Sequence, residues 1–286
     1  MIQLRNGNLL VRINEKGAEM QSIQLNELEY LWQAEPDYWG KHAPVLFPII
    51  GELKDCKYIF DNKEYHLPRH GFARDKTFEA KQSADTSAIF TLRSDTDTLA
   101  EYPFEFIFQV QYEIKQHTLY CSYIVQNVGN GDMYFSVGGH PAFRVPISDQ
   151  LKYEDYTLAF NNDTTLKRFL LQNGLTNHST ETLALDDKKL PLKSSLFYKD
   201  AIVLKHINSD QIKLYSDEDP HGLTFTFEGF PFFGIWAAKD APFVCLEPWC
   251  GVADNIHHDF HLKNKEGINQ LSAGASWKRT WSVELY

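Results

Sequence analysis

A chain of 286 residues with 43% hydrophobic and 14% aromatic side chains has enough apolar surface to bury a large core, which excludes a disordered polypeptide. Its 28 basic and 38 acidic residues give a net charge of −10, so the surface as a whole repels polyanions and nucleic acid is not expected as a partner. No apolar run has the length of a spanning helix, since the richest, Phe227 to Ala238, is broken by Glu228 and Pro231; no membrane association is expected.

The N-terminal residues mix Arg5, Arg12 and Glu15 into short apolar pairs and lack the continuous apolar core of a secretory signal, so a cytoplasmic location is the expectation. Apolar residues then recur with a period of two rather than 3.6. Strand signals run over Tyr58 to Tyr65 and Ala88 to Arg93. Short helical turns are expected at Asp37 to Lys41 and Asp95 to Glu101. Phe104, Phe106, Phe108, Val110, Tyr112 and Ile114 alternate with polar residues, and Leu119, Cys121, Tyr123 and Val125 alternate again after Lys115 to Thr118, which predicts a hairpin. Further strands are expected at Met133 to Val137, Ile202 to His206, Ile212 to Tyr215, Leu223 to Phe227, Phe233 to Ala237, Phe243 to Glu247 and Trp277 to Leu285. The polar stretch Asn161 to Ser195 reads as a long excursion with a strand or two. Many strands separated by turns imply an all-β protein, a large twisted antiparallel β-sandwich. No low-complexity linker divides the chain, so one domain over residues 1–286 is expected.

Three segments set ionisable residues beside glycine or proline in apolar surroundings: Arg69 to Arg74, Gly138 to Phe143 and Cys245 to Gly251. Gly138 and Gly139 permit backbone conformations closed to other residues, and Pro141 fixes the chain after His140, so that imidazole is held at a strand end. Glu247 ends an apolar strand beside Trp249, where burial would raise its pKa and make it a stronger base. The four cysteines, Cys56, Cys121, Cys245 and Cys250, form no C-x-x-C pair and read as reduced structural thiols. His257, His258 and His261 make a histidine-rich run, but it lacks the Glu of H-E-x-x-H and reads as a solvated loop; no metal is expected. Phosphate-binding glycine loops are absent, so no nucleotide cofactor is expected.

Taken together, the phrases Ala43 to Gly51, His70 to Asp75, Gly139 to Phe143 and Ala241 to Gly251 resemble the aldose 1-epimerase (galactose mutarotase) superfamily, in wording closest to its bacterial LacX-like branch. That resemblance implies the galactose-mutarotase-like supersandwich and a cofactor-independent interconversion of the α and β anomers of a hexose. It implies His140 as general acid, Glu247 as general base and His70 as the residue that stabilises charge near the ring oxygen. Arg74 and Asp200 would bind the sugar, and Trp236 and Trp249 would offer ring faces to it. The partner implied is a small carbohydrate, bound by a monomer or homodimer.

One departure is visible: LacX-like chains usually continue the Pro-rich phrase with Gly-Arg, whereas this chain reads Gly51-Glu52-Leu53-Lys54. Lys54 is the nearest cation that could stand in, without the planar fork of arginine. The rival within the same chemistry is a hexose-6-phosphate 1-epimerase using Arg69, Arg74, Lys41 or His42; from another class comes a sugar-binding protein without turnover, against which the matched His140 and Glu247 argue.

Overall fold

In a computed structural model that describes all residues 1–286, two large antiparallel sheets are built on the strands that alternation marks. The first has nine strands, with Ser276–Leu285, Thr118–Asn127, Phe106–Lys115 and Ser87–Arg93 adjacent at its centre. Phe106–Lys115 alternates buried and half-buried residues along its length, as a strand with one face on the core must. Its predicted hairpin partner Thr118–Asn127 pairs in continuous register from Lys115↔Thr118 to Phe106↔Asn127.

The second sheet is ordered Leu175–Ala184, Thr165–Gln172, Ile202–Lys205, Phe232–Trp236, Phe243–Cys250, Val137–Gly139 and Val45–Leu46; Ala142–Arg144 also pairs with Phe243–Cys250. Here alternation fails, because every residue of Phe243–Cys250 is buried. The two sheets meet face to face through aromatic contacts: Phe47 stacks on Phe108 at 4.4 Å, and Phe225 meets Phe143 and Phe233 edge-on. One cluster of 72 buried apolar residues spans from Leu4 to Leu285, so both sheets share a core.

Several expectations need correction. Tyr58 to Tyr65 is not one strand but a hairpin, Lys57–Phe60 with Lys63–His66, because Asp61 and Asn62 both take positive φ and reverse the chain. Met133 to Val137 is likewise split, into Met133–Phe135 and Val137–Gly139, which join different sheets. Asp37 to Lys41 forms turns only, whereas Thr96–Glu101 is helical under a capping box from Asp95. The N-terminal residues form a four-stranded sheet, Ile2–Asn6, Leu9–Ile13, Met20–Leu25 and Leu28–Glu29, that the sequence reading did not foresee. The excursion 161–195 carries three strands rather than one or two. No helix is long and apolar enough to cross a membrane.

Candidate active site

Close approach of backbones, rather than bulk, sets the position of His140. A Cβ on Gly138 would lie 2.7 Å from the Pro248 carbonyl oxygen, and one on Gly139 would lie 2.5 Å from the Tyr123 hydroxyl. Only glycines let Val137–Gly139 lie this near both its neighbour strand and the opposite sheet. The His140 N–H then donates to the Pro44 carbonyl at 3.0 Å, and the Leu246 N–H donates to the Pro141 carbonyl at 3.2 Å. Glu247 sits within Phe243–Cys250, opposite Gly234, whose missing side chain leaves room for the Trp249 ring.

These constraints bring the His140 Nε2 to 3.3 Å from the Glu247 Oε2, with the two side chains 11% and 2% exposed. His70 stands edge-on to His140 at 5.8 Å. Its backbone N–H donates to the Gly51 carbonyl, and the Gly51 N–H donates to its Nδ1 at 3.1 Å. A ring nitrogen that accepts is unprotonated, so the neutral His70 carries its proton on Nε2 as a donor.

His140, Glu247, His70, Arg74, Asp200, Trp236 and Trp249, the seven residues singled out from sequence, all line one cavity of about 310 Å³. That lies at the lower end of the range of about 300–1,000 Å³ typical of small-molecule pockets. Asp200 sits at positive φ, its Oδ1 accepting from the Ala201 N–H, while the buried Arg168 donates to its carbonyl at 2.7 Å. Arg74 donates to the Arg69 carbonyl at 2.8 Å. Of five buried side-chain polar atoms without a hydrogen-bond partner, four belong to this lining: Arg74 Nε, His140 Nδ1, Glu247 Oε2 and Trp249 Nε1. Such atoms are costly in a folded protein and concentrate where a polar ligand is received.

Desolvation dominates the electrostatics. It pushes the Glu247 carboxyl well above the usual carboxylate range, against the opposing pull of the Arg69 charge. It pulls His140 down to about 3, with Arg69 and Arg74 adding to the effect. His70 is pulled well below its ordinary value first by desolvation and then by the His140 and Arg69 charges. Burial thus favours the uncharged form of each, raising the carboxyl and lowering the imidazoles.

Sequence reasoning missed part of this lining. Trp39 stacks on His140 at 4.9 Å, and the only available signal was an aromatic just before the Ala43-Pro44 phrase. Leu171 and Gly174 come from the 161–195 excursion, where nothing in the local sequence marks a pocket. Arg69, which the sequence suggests only as a phosphate ligand, lines the cavity and pairs with Glu52 at 3.5 Å. Lys54 is no substitute for the missing arginine, because its Nζ donates to the His258 carbonyl and lies over the Phe260 ring. Lys41 and His42 lie outside the lining.

The histidine run does not converge on a common point. His257 stacks on His178, the His261 N–H donates to the Asp259 Oδ1, and His258 is largely buried near Asp254 at 3.9 Å rather than solvated. Cys245, read as merely structural, lies within 4.8 Å of the ligand-capable atoms of both His140 and Glu247.

Comparison with known proteins bears on the family and the fold. A family profile described as "Aldose 1-epimerase" matches residues 1–284. The plasmid-encoded protein LacX of Lactococcus lactis subsp. lactis is 30% identical over 295 residues, covering 99% of each chain. A galactose mutarotase related enzyme from Lactobacillus acidophilus superposes with a TM-score of 0.95 at 32% identity, covering 100% of this chain and 97% of that one. A galactose mutarotase-like protein from Lactobacillus casei gives 0.93 at 31% identity, with 100% of both chains covered.

Proposed function

The chain belongs to the aldose 1-epimerase family, and from that premise we propose that it interconverts the α and β anomers of a hexose by opening and reclosing the pyranose ring. The observation that carries this reading is the buried His140–Glu247 pair, 3.3 Å apart, on a cavity rich in unpartnered polar atoms. Ring opening removes the proton from the O1 hydroxyl and adds one to the ring oxygen, which breaks the bond from C1 to that oxygen and leaves an aldehyde. Rotation about C1–C2 and reclosure in the reverse sense return both protons and give the other anomer.

Glu247 accepts the O1 proton and His140 supplies the one for the ring oxygen. The single proton of the pair must therefore sit on the imidazole when the sugar reacts; the nearby Arg69 stabilises the carboxylate but opposes a charged imidazole, so the bound sugar itself has to favour that distribution. His70 donates from Nε2 and supports the oxygen on which charge develops. Trp39, Trp236 and Trp249 supply ring faces for the apolar side of the sugar, and Asp200 accepts from its hydroxyls. No step needs a cofactor.

A second reading, the 6-phosphate ester of a hexose as substrate, draws support from Arg69 and Arg74 on the lining and from the unpartnered Arg74 Nε. The pairing of Arg69 with Glu52 and the net charge of −10 weigh toward the free sugar. Polarimetry or exchange NMR on freshly dissolved single anomers of glucose, galactose and their 6-phosphates tests both. The expected outcome is accelerated mutarotation with a higher kcat/KM for a free hexose. A preference for an ester that disappears in Arg74→Ala reverses the order of the two readings, and no acceleration with any sugar overturns both.

A further inference from the structure

Cys245 and Glu247 are two residues apart on one strand, so their side chains leave the same face of the sheet, and His140 approaches that face from the neighbouring glycine strand. The result is a nitrogen, a sulfur and a carboxylate oxygen, all buried and all within 4.8 Å of one another. We propose that His140, Cys245 and Glu247 form a three-donor binding site for a thiophilic divalent cation of the zinc type, and that its occupation shuts the site down.

The geometry fits that ion. Two ligands at about 2.0–2.1 Å from a tetrahedral centre stand roughly 3.3–3.4 Å apart, and His140 Nε2 to Glu247 Oε2 is 3.3 Å. The sulfur, within 4.8 Å of a ligand atom of each of the other two, needs to draw in by up to about 1.2 Å to complete a bond of about 2.3 Å. The Glu247 Oε2 meets the His140 Nε2, itself one of the three donors, and makes no other hydrogen bond. The fourth position faces the cavity lined by His140 and Glu247, through which an ion enters. Mixed sulfur and nitrogen donors select zinc or cobalt over magnesium, which prefers oxygen and keeps its water.

Coordination is balanced by proton release. The Cys245 thiol loses its proton to solvent when the metal–sulfur bond forms, and the His140–Glu247 pair loses the one it shares, so one cation in expels two protons. The lone pairs that would accept and pass protons in the reaction are then committed to the metal. Cation binding itself depends only on the three side chains; the inhibition rests on the proposed roles of His140 and Glu247.

Two readouts keep those apart. The first is binding: cobalt(II) and zinc chloride are titrated into the Cys56→Ser protein, which lacks the one exposed thiol. The expected result is one equivalent bound with a thiolate-to-cobalt charge-transfer absorption. Adding Cys245→Ser should remove that absorption and weaken zinc by at least about tenfold, the smallest loss expected for a direct ligand. The second readout is mutarotation: zinc but not magnesium should inhibit, chelator should restore the rate, and Cys245→Ser should keep its turnover while losing sensitivity to zinc. If that variant does not fold, Cys245→Ala and His140→Asn are read by cobalt binding alone. Zinc affinity unchanged by loss of Cys245, or cobalt bound without a thiolate band, overturns the site. Binding as expected with full activity retained overturns the inhibition alone.

Discussion

Glu247 and Asp254 are both almost fully buried carboxyls on one continuous stretch of chain, and the protein treats them in opposite ways. Asp254 is satisfied: its Oδ1 accepts from the Lys265 Nζ at 2.7 Å with both side chains fully buried, and its Oδ2 accepts from the Lys54 N–H at 2.9 Å. Its backbone also binds outward, the N–H to the Glu52 carbonyl and the carbonyl to the Thr176 N–H and hydroxyl. Glu247 lacks a partner for Oε2 and faces an imidazole whose Nδ1 is also unpartnered. One buried carboxyl ties loops together, while the other is left unsatisfied where a ligand can complete it. The contrast separates a structural polar cluster from a reactive one better than burial or charge alone.

The largest effect that sharpens the contrast is on rate. Glu247→Gln and His140→Asn should each slow anomer exchange by about two to four orders of magnitude with the fold intact, the usual loss for a general acid or base. Polarimetry on the purified variants measures it, and near-normal turnover in either removes that residue from the mechanism. The wild-type rate should form a plateau through neutral pH. Below it, near the His140 value of about 3, the pair gains a second proton and the base is lost. Above it, well beyond the usual carboxylate pKa, the pair loses its only proton and the acid is lost.

Next in size is the cost of breaking the satisfied cluster. Lys265→Met leaves Asp254 buried with its charge uncompensated and should destabilise the protein by about 3–5 kcal/mol, read from denaturant midpoints. Turnover per folded molecule should fall far less than in Glu247→Gln. Equal stability of Lys265→Met and wild type would erase the distinction between the two carboxyls.

A smaller effect of opposite sign is expected for the stability of Glu247→Gln. Because folding raises the Glu247 pKa, its contribution to stability is full below the unfolded value and is lost as pH rises toward the folded one. At neutral pH the glutamine variant should therefore be more stable, by about 1 kcal/mol, as is common when a strained functional residue is neutralised. The difference should vanish on acidification. The smallest effect is that of chelation: extensive dialysis against a chelator should leave the rate unchanged or slightly higher. Loss of activity restored only by added metal would overturn the proton-transfer reading.

Much of the candidate site was legible because its residues lie in short phrases whose glycines allow close backbone approach and whose prolines fix the chain. Gly138-Gly139-His140-Pro141 announces a side chain held at a strand end, and the steric fit of Gly139 against Tyr123 shows why. The hairpin from Phe106 to Asn127 was legible because one face is solvated and alternation survives. Legibility ended where a contact is made at long range. Nothing near Leu171 or Gly174 reports that their turn is folded over Glu52, and the short N-terminal strands lack the sustained alternation of the hairpin. Nor does Cys245 differ locally from Cys250; only the tertiary arrangement puts its sulfur beside His140.

The turn between Thr165–Gln172 and Leu175–Ala184 has a consequence for how such a protein can change. Asn173 and Gly174 reverse the chain at positive φ, and a Cβ on Gly174 would lie 2.8 Å from Glu52 Cγ and 3.6 Å from the Arg69 guanidinium. This ribbon is the outer edge of its sheet, whereas His140 bonds to Pro44 and Glu247 lies on an inner strand, paired opposite Gly234 and next to Leu246, which bonds to Pro141. Under the proposed function, insertions or exchanges at the ribbon tip remodel the mouth of the cavity and reach the His140–Glu247 pair only through the Arg69 charge. On that reading sugar preference can diversify largely apart from the reaction, and a library confined to residues 171–174 samples new substrates while leaving His140 and Glu247 unchanged.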